Sequence, residues 1–464
     1  MTTATMMHSF RRNRLVSSFV CLIFGYQATI VVSSSAIDDM KWEQRSSYDS
    51  SQRRILGRHH PIVFANETHG FLIGGTTTGS EPANDFYIYN EANDEWMDIS
   101  ENAAPFPPRS FGYGVVLNEA NHPKAYLGFG ASIDEFLNDW YEFDMTTLQF
   151  KQLSSCPGLG RRHPSMVPVY IQEEQKWQIH VGLGDGFVGL QFSNFNDYWV
   201  YDINTDEWTQ LPNFPSSQRH HPFFFGIGDT SYTGLGHSDG TNPYIERDFY
   251  SYSSTREEGE NWNKEPDFAS YEIETSTLIT TEARVAGTEF SIDLPLVGDD
   301  SGNSAGMPGA IGFVLSGDGE DHGTMETGEF HAFYPPNSPL MSWNDDNMRW
   351  RQLPPHPGTS RWAPGSFVMR GSAVAYFTSG YDRSTNSLHS DVWRIDLSPL
   401  FQIPAADSTN TPGGTTTDGQ GIDTDENNEA ALVGASSSGA SRLSLESLKL
   451  TVPIVLSTAL YLVS

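Results

Sequence analysis

The chain has 464 residues, enough for one large domain or two ordinary ones, and it sets 27 lysines and arginines against 58 acids, a formal net charge of −31. That balance argues against nucleic acid as a partner, since phosphate recognition needs a basic footprint, and it repels anionic lipid surfaces. Aromatic residues at 12 %, 42 glycines and only 18 % charged residues suit strands and turns better than helices.

Residues 1–36 have the layout of an export leader. Arg11, Arg12 and Arg14 precede an apolar stretch, Leu15–Val32, and Ser34 and Ala36 supply the small residues of a cleavage site after Ala36. Ser17, Ser18 and Gln27 weaken the stretch as a membrane span. Cys21 falls inside this leader. The mature chain then keeps Cys156 alone, and no internal disulfide is available.

From about residue 40 the chain repeats itself. Apolar runs end at Gly75, Gly130, Gly184, Gly236, Gly317 and Gly380. After each, an acid opens an aromatic, alternating strand: Asp85, Asp139, Asp197, Asp248, Glu329 and Asp391. An aromatic heads the next short strand in five units: Trp96, Phe150, Trp208, Trp262 and Trp350. In the first three units acid and aromatic are 11 residues apart, as one reused hairpin geometry requires. Upstream of each glycine run stands Arg-x-x-Pro or Arg-x-x-Gly, at Arg58, Arg109, Arg161, Arg219, Arg284 and Arg361. The fourth and fifth units are stretched by insertions, among them Leu296–Ala310. Asn66-Glu67-Thr68 in the first unit is a glycosylation sequon at Asn66.

Glycine after an apolar strand, then acid and aromatics, then tryptophan: this pattern resembles the kelch repeat over residues 40–397. The double glycine of that repeat is intact only at Gly74-Gly75; elsewhere Phe, Leu or Ser replaces its first member. The resemblance implies an all-β fold, a six-bladed kelch-type β-propeller over residues 37–400, each blade four antiparallel strands, a to d from axis to rim. The sixth unit lacks a tryptophan-led strand d, and "DMKWEQRS" (Asp39–Ser46) has the shape of one. The ring is therefore expected to be closed by an N-terminal strand headed by Trp42, which removes an exposed edge.

Within such a blade the d-to-a and b-to-c loops share one face, and the arginines and acids lie there. Two roles fit the six arginines: forks for an anionic ligand, or partners of nearby acids and blade carbonyls, and recurrence in every blade favours the second. His60, His163 and His221 share one offset, two residues after their arginines, and His59 and His220 precede two of them. Three imidazoles aimed at one axis suit a metal; packing between blades is the stronger reading, so neither a metal nor a cofactor is expected. Polar b-to-c loops make this face the expected binding surface, with the arginines and His60, His163 and His221 as candidate ligand contacts. Similarity to galactose oxidase or to sialic-acid mutarotases implies an alternative, an exported sugar-modifying enzyme. Cys156 in a loop is weak support for the first likeness, the arginine face would suit the anionic sugar of the second, and the catalytic residues are unknown.

Residues 405–434 lack aromatics and are rich in Thr, Gly, Asp and Asn, and residues 401–438 are expected to form a disordered acidic stalk. Residues 439–464 end in the short apolar segment Leu450–Ser464 after a polar spacer. With small residues upstream, that is the pattern of a glycolipid-anchor signal with attachment at Ser438 or Gly439. The expected molecule is a monomeric, extracellular, surface-tethered propeller that binds a protein or glycan, touching membrane only through its anchor.

Overall fold

Six antiparallel sheets follow one another along the chain. The computed structural model describes residues 37–401 except 38, 48–55, 79–80, 103, 120, 240–243, 258, 296–307 and 342–344. The expected leader, the stalk beyond residue 401, the C-terminal segment with Ser438 and Gly439, and most of the 296–310 insertion lie outside the described residues. Among the described residues no helix is long and apolar enough to cross a membrane.

In strand order a to d, the first blade is Ile62–Ala65, His69–Ile73, Phe86–Asn90 and Glu95–Asp98. The second is Tyr113–Val116, Lys124–Gly128, Trp140–Asp144 and Gln149–Gln152. The third is Ser165–Ile171, Lys176–Gly182, Tyr198–Asp202 and Glu207–Leu211. The fourth is Phe223–Ile227, Thr230–Gly234, Phe249–Tyr252 and Trp262–Glu265. The fifth is Thr288–Pro295, Pro308–Leu315, Gly328–Phe333 and Trp350–His356. The sixth takes Trp362–Val368, Val374–Asp382 and Val392–Asp396 from the end of the ring and Glu43–Arg45 from its start.

The N-terminal strand pairs antiparallel with Val392–Asp396, Glu43 opposite Arg394 and Arg45 opposite Val392. The innermost strands touch in cyclic order, blade 1 meeting both blade 2 and blade 6. This is the six-bladed propeller expected from the repeat, closed as the orphan segment suggested. Two elements were not expected. The b-to-c loop of blade 3 folds into its own hairpin, Asp185–Val188 against Gln191–Asn194. A second short hairpin, Ser270–Tyr271 and Leu278–Thr280, adds to the rim of blade 5 through a parallel pairing with Trp350–His356.

The core is a set of wedges between blades. Phe64, Phe71 and Phe86 of blade 1 meet Leu127 and Phe143 of blade 2, and Phe225 and Phe249 of blade 4 meet Phe333 and Trp350 of blade 5. Ile395 of blade 6 packs with Phe313 and Phe330 of blade 5 and with Met40. Strand-d tryptophans stitch the rim. The indole N–H of Trp96 donates to Ser46, Trp208 to Ser154, Trp262 to Pro212 and Trp42 to Pro354, each a carbonyl at the end of the preceding blade's strand d, at 2.7–3.0 Å.

The double-glycine position shows why only its second member persists. The first member, Gly74, Phe129, Leu183, Leu235, Ser316 or Ser379, has φ between 54° and 65°, which L-residues reach in the left-handed region. At Gly130 φ is 84° and a Cβ would stand 2.3 Å from the Ser110 carbonyl oxygen. Only glycine fits there.

Candidate binding face and axial histidine cluster

Each arginine stands just before strand a of its blade and is buried. Its fork grips the acid that opens strand c of the same blade. Arg58 holds Asp85 at 2.5 and 2.7 Å, Arg109 holds Asp139 at 2.6 Å twice, Arg161 holds Asp197 at 2.6 and 2.7 Å, and Arg361 holds Asp391 at 2.6 and 2.7 Å. Arg219 holds Asp248 at 2.5 and 3.2 Å, and Arg284 meets Glu329 at 2.8 Å. In five blades Nη1 also donates to the carbonyl of the first double-glycine position: Gly74, Phe129, Leu183, Leu235 or Ser379. The arginine backbone faces the other way. The N–H of each conserved-position glycine donates to the arginine carbonyl of the next blade, from Gly75 to Arg109 through Gly380 back to Arg58, at 2.8–3.3 Å. A charged clamp inside each blade, bidentate in five of them, and a closed circle of hydrogen bonds between blades account for the recurrence of this residue. The forks are turned onto protein acceptors, away from the mouth of the ring.

Two residues past each arginine the chain turns left-handed: φ is 50° at His60, 67° at Phe111, 51° at His163, 50° at His221, 52° at Ala286 and 50° at Ala363. Some of these residues also join neighbouring blades, His60 N–H donating to the Ala363 carbonyl and His163 N–H to that of Phe111. The conformation recurs whether the residue is His, Phe or Ala, so it belongs to the architecture. Its consequence is local to three blades. His60, His163 and His221 bring ring nitrogens within 4.8 Å of one another, all three buried.

His60 Nε2 and His221 Nε2 are 2.9 Å apart, and the His163 and His221 rings stack at 3.5 Å. His60 Nδ1 meets His59 Nδ1 at 2.7 Å. His163 Nδ1–H donates to Asp185 at 3.2 Å, and its Nε2 is buried with no hydrogen-bond partner. His220 Nδ1–H donates to Asn194 Oδ1 at 2.8 Å. Phe111 and Trp362 wall the cluster, each edge-on to His60. Burial keeps these rings neutral: desolvation pushes His59 down to about 4 and His220 to about 3, and holds His60 and His221 well below their ordinary value. His163 is lowered by burial against the pull of Asp185. Burial alone would raise Asp185, but His163, His220 and Arg162 hold its carboxyl below the usual range.

Asp185, Asn194 and Arg162 were not singled out in the sequence. The first two form the base of the unexpected hairpin, facing each other across it, and Arg162 bonds Asp185 at 2.9 and 3.2 Å. The tip of the hairpin is apolar and in solvent. Phe187, Val188, Leu190 and Phe192 are exposed, as are Ile133, Leu159 and Tyr244 on neighbouring loops of the same face. Phe136 stacks on Phe187 at 5.4 Å, and the Arg162 guanidinium lies over Phe136 and Phe192 at 5.2 and 5.3 Å. Among the described residues, the a-to-b and c-to-d loops carry no exposed large hydrophobic side chain. That opposite face instead opens into the central channel, a cavity of about 620 Å³ lined by Tyr170, Asp229, Asp293 and Arg370 among others. Deeper in the channel burial raises Glu289 well above its ordinary value. Neither Glu289 nor Asp293 carried a signal in the sequence, since both sit within a strand.

Cys156 is buried among Leu153, Trp140 and Met166 between blades 2 and 3, its thiol pushed up to about 11 by desolvation. Asn66 lies in the turn between strands a and b of blade 1, its Oδ1 accepting the N–H groups of Thr68 and His69.

The family described as the KLHDC2/KLHL20/DRC7 Kelch-repeats domain matches residues 18–234, blades 1 to 3 and the first half of blade 4. No curated protein matches the chain at a significant level. The repeated glycine, acid and aromatic positions and this match agree: residues 18–234 match the kelch repeats, and the described residues form a closed six-bladed propeller.

Proposed function

We propose that this propeller is an exported, non-catalytic binding protein that holds its ligand on the face built by the b-to-c and d-to-a loops. Kelch propellers generally bind protein partners. The observation that carries the reading is the asymmetry of exposed apolar surface. Phe187, Val188, Leu190, Phe192, Ile133, Leu159 and Tyr244 all stand on this face, and exposed apolar side chains around an arginine, as Phe187 and Phe192 stand with Phe136 and Arg162, have the composition of a recognition surface. A protein ligand suits it best; the exposed rings of Phe187 and Phe192 also offer stacking planes to a glycan. Export and tethering rest on the leader in residues 1–36 and the anchor pattern around Ser438 and Gly439.

Two experiments test the two halves. Phosphatidylinositol-specific phospholipase treatment of expressing cells releases the protein if the tail is a lipid-anchor signal, and leaves it in place if it is not. Protein and glycan arrays probed with purified protein give ligands whose binding is lost in Phe187→Asp and Leu190→Asp, with the melting temperature unchanged. Ligands held equally by these variants put the binding surface elsewhere.

A further inference from the structure

Three buried imidazoles from three blades meet where the chain has no need of polar groups: the equivalent positions in the other three blades are Phe111, Ala286 and Ala363. Architecture therefore explains the left-handed backbone but not the histidines. A buried polar atom without a partner costs about 1–3 kcal/mol, and His163 Nε2 is such an atom. Two neutral ring nitrogens at 2.9 Å, His60 Nε2 and His221 Nε2, meet only by sharing one proton between them. Both features have one remedy, a cation that accepts three lone pairs.

We infer that His60, His163 and His221 bind a divalent d-block metal ion, with zinc the best fit, through three imidazole nitrogens. The outer contacts are those such a site uses. Asp185 takes the Nδ1–H of His163, which fixes the tautomer and turns Nε2 to the centre. His59 Nδ1 stands as the acceptor for His60 Nδ1–H, again presenting Nε2. Phe111 and Trp362 exclude solvent from the sides. Zinc–nitrogen bonds of about 2.0–2.1 Å set tetrahedral nitrogens about 3.3 Å apart. The observed 2.9 Å contact and the 4.8 Å span of the three nitrogens bracket that spacing, so closing the widest separation by about 1.5 Å through ring rotation assembles it. Three neutral nitrogens with no thiolate favour Zn²⁺, Cu²⁺ or Ni²⁺ over Mg²⁺ or Ca²⁺ and leave a fourth position for water or a ligand atom. Asp185 and Asn194 are also the base of the hairpin whose tip carries Phe187 and Leu190, so the metal would brace the floor beneath the apolar face.

The test uses the purified, chelator-stripped protein titrated with Zn²⁺ and, separately, with Co²⁺. The expected result is one equivalent bound, a higher melting temperature, and the visible d–d bands of tetrahedral Co²⁺. His163→Gln and His221→Gln abolish binding, Asp185→Asn weakens it about 10- to 100-fold, and His122→Gln, on the far face of the ring, leaves it unchanged. Folded wild-type protein that takes up neither ion, or uptake that survives the His163 and His221 replacements, overturns the site. Should a histidine variant fail to fold, the wild-type stoichiometry and the Asp185→Asn affinity still decide.

Discussion

The arginine two residues before each left-handed turn joins two jobs in one residue. Its guanidinium ties strand a to strand c inside the blade, and its carbonyl receives the glycine N–H of the blade before it. Arg161→Ala strands the partly buried Asp197 carboxylate and is expected to cost about 3–5 kcal/mol in denaturant unfolding, the price of an uncompensated buried charge. Arg161→Met combined with Asp197→Leu recovers most of that loss, because the pair removed together leaves no orphan. Recovery absent in the double variant would mean that the carbonyl contact to Leu183 dominates. At Gly130 the expectation is separate: Gly130→Ala forces a Cβ against the Ser110 carbonyl at a φ of 84°, destabilising by at least about 1–3 kcal/mol in the same assay. The arginines, acids and glycines were all legible in the sequence, because fixed spacing reports a fixed geometry. The convergence of His60, His163 and His221 was legible only as a shared offset. Nothing marks those residues as left-handed, since glycine or asparagine, the usual signs of that conformation, are absent there.

The clamp makes blades 3 to 6 sensitive to acid. Burial alone would raise Asp197, Asp248 and Asp391, yet the arginine forks hold all three below the ordinary carboxylate value. Glu329, buried and gripped by His331 and Arg284, lies at about 2. A depressed folded-state pKa contributes stability that is complete above the unfolded value, about 3.9 for Asp, and is lost as pH falls through the folded value. The buried histidines add an earlier loss: neutral in the fold, with His59 at about 4 and His220 at about 3 against about 6.5 when unfolded, they take up protons on unfolding, so the melting temperature is expected to decline below about pH 6.5 and more steeply below about pH 4 as the clamps are lost. A melting temperature that holds steady down to about pH 4 would contradict the burial of these histidines in neutral form. Among elements, the hairpin Asp185–Asn194 was missed although its signal is present: two short runs around Gly189, with Phe187 opposite Phe192. A loop rich in Asp, Asn and Gly masked it. Ser270–Tyr271 had no such signal, being two residues that pair with Leu278–Thr280 and, in parallel, with Trp350 and Arg351 of another strand.

At the scale of the molecule, closure depends on three residues, Glu43–Arg45, which cover the edge of Val392–Asp396. Trp42 adds an indole bond to Pro354 and ring contacts with Phe330 and Phe377. Deleting residues 39–46 is expected to leave blade 6 with an open edge. The altered protein should unfold at lower denaturant and self-associate in size-exclusion chromatography; an unchanged midpoint and a monomeric elution would show that the ring closes without the N-terminal strand. The segment was legible because it copies the strand-d pattern of another blade. The role of the ring as a recognition module rests on one of its faces being apolar and the other being an acidic channel mouth. A photocrosslinking amino acid placed at Leu190, on the hairpin tip, or at Glu174, on a loop of the opposite face, reads that difference directly against a ligand identified on the arrays. The account predicts efficient crosslinks from position 190 and none from position 174. Crosslinks from 174 with silence at 190 would contradict it.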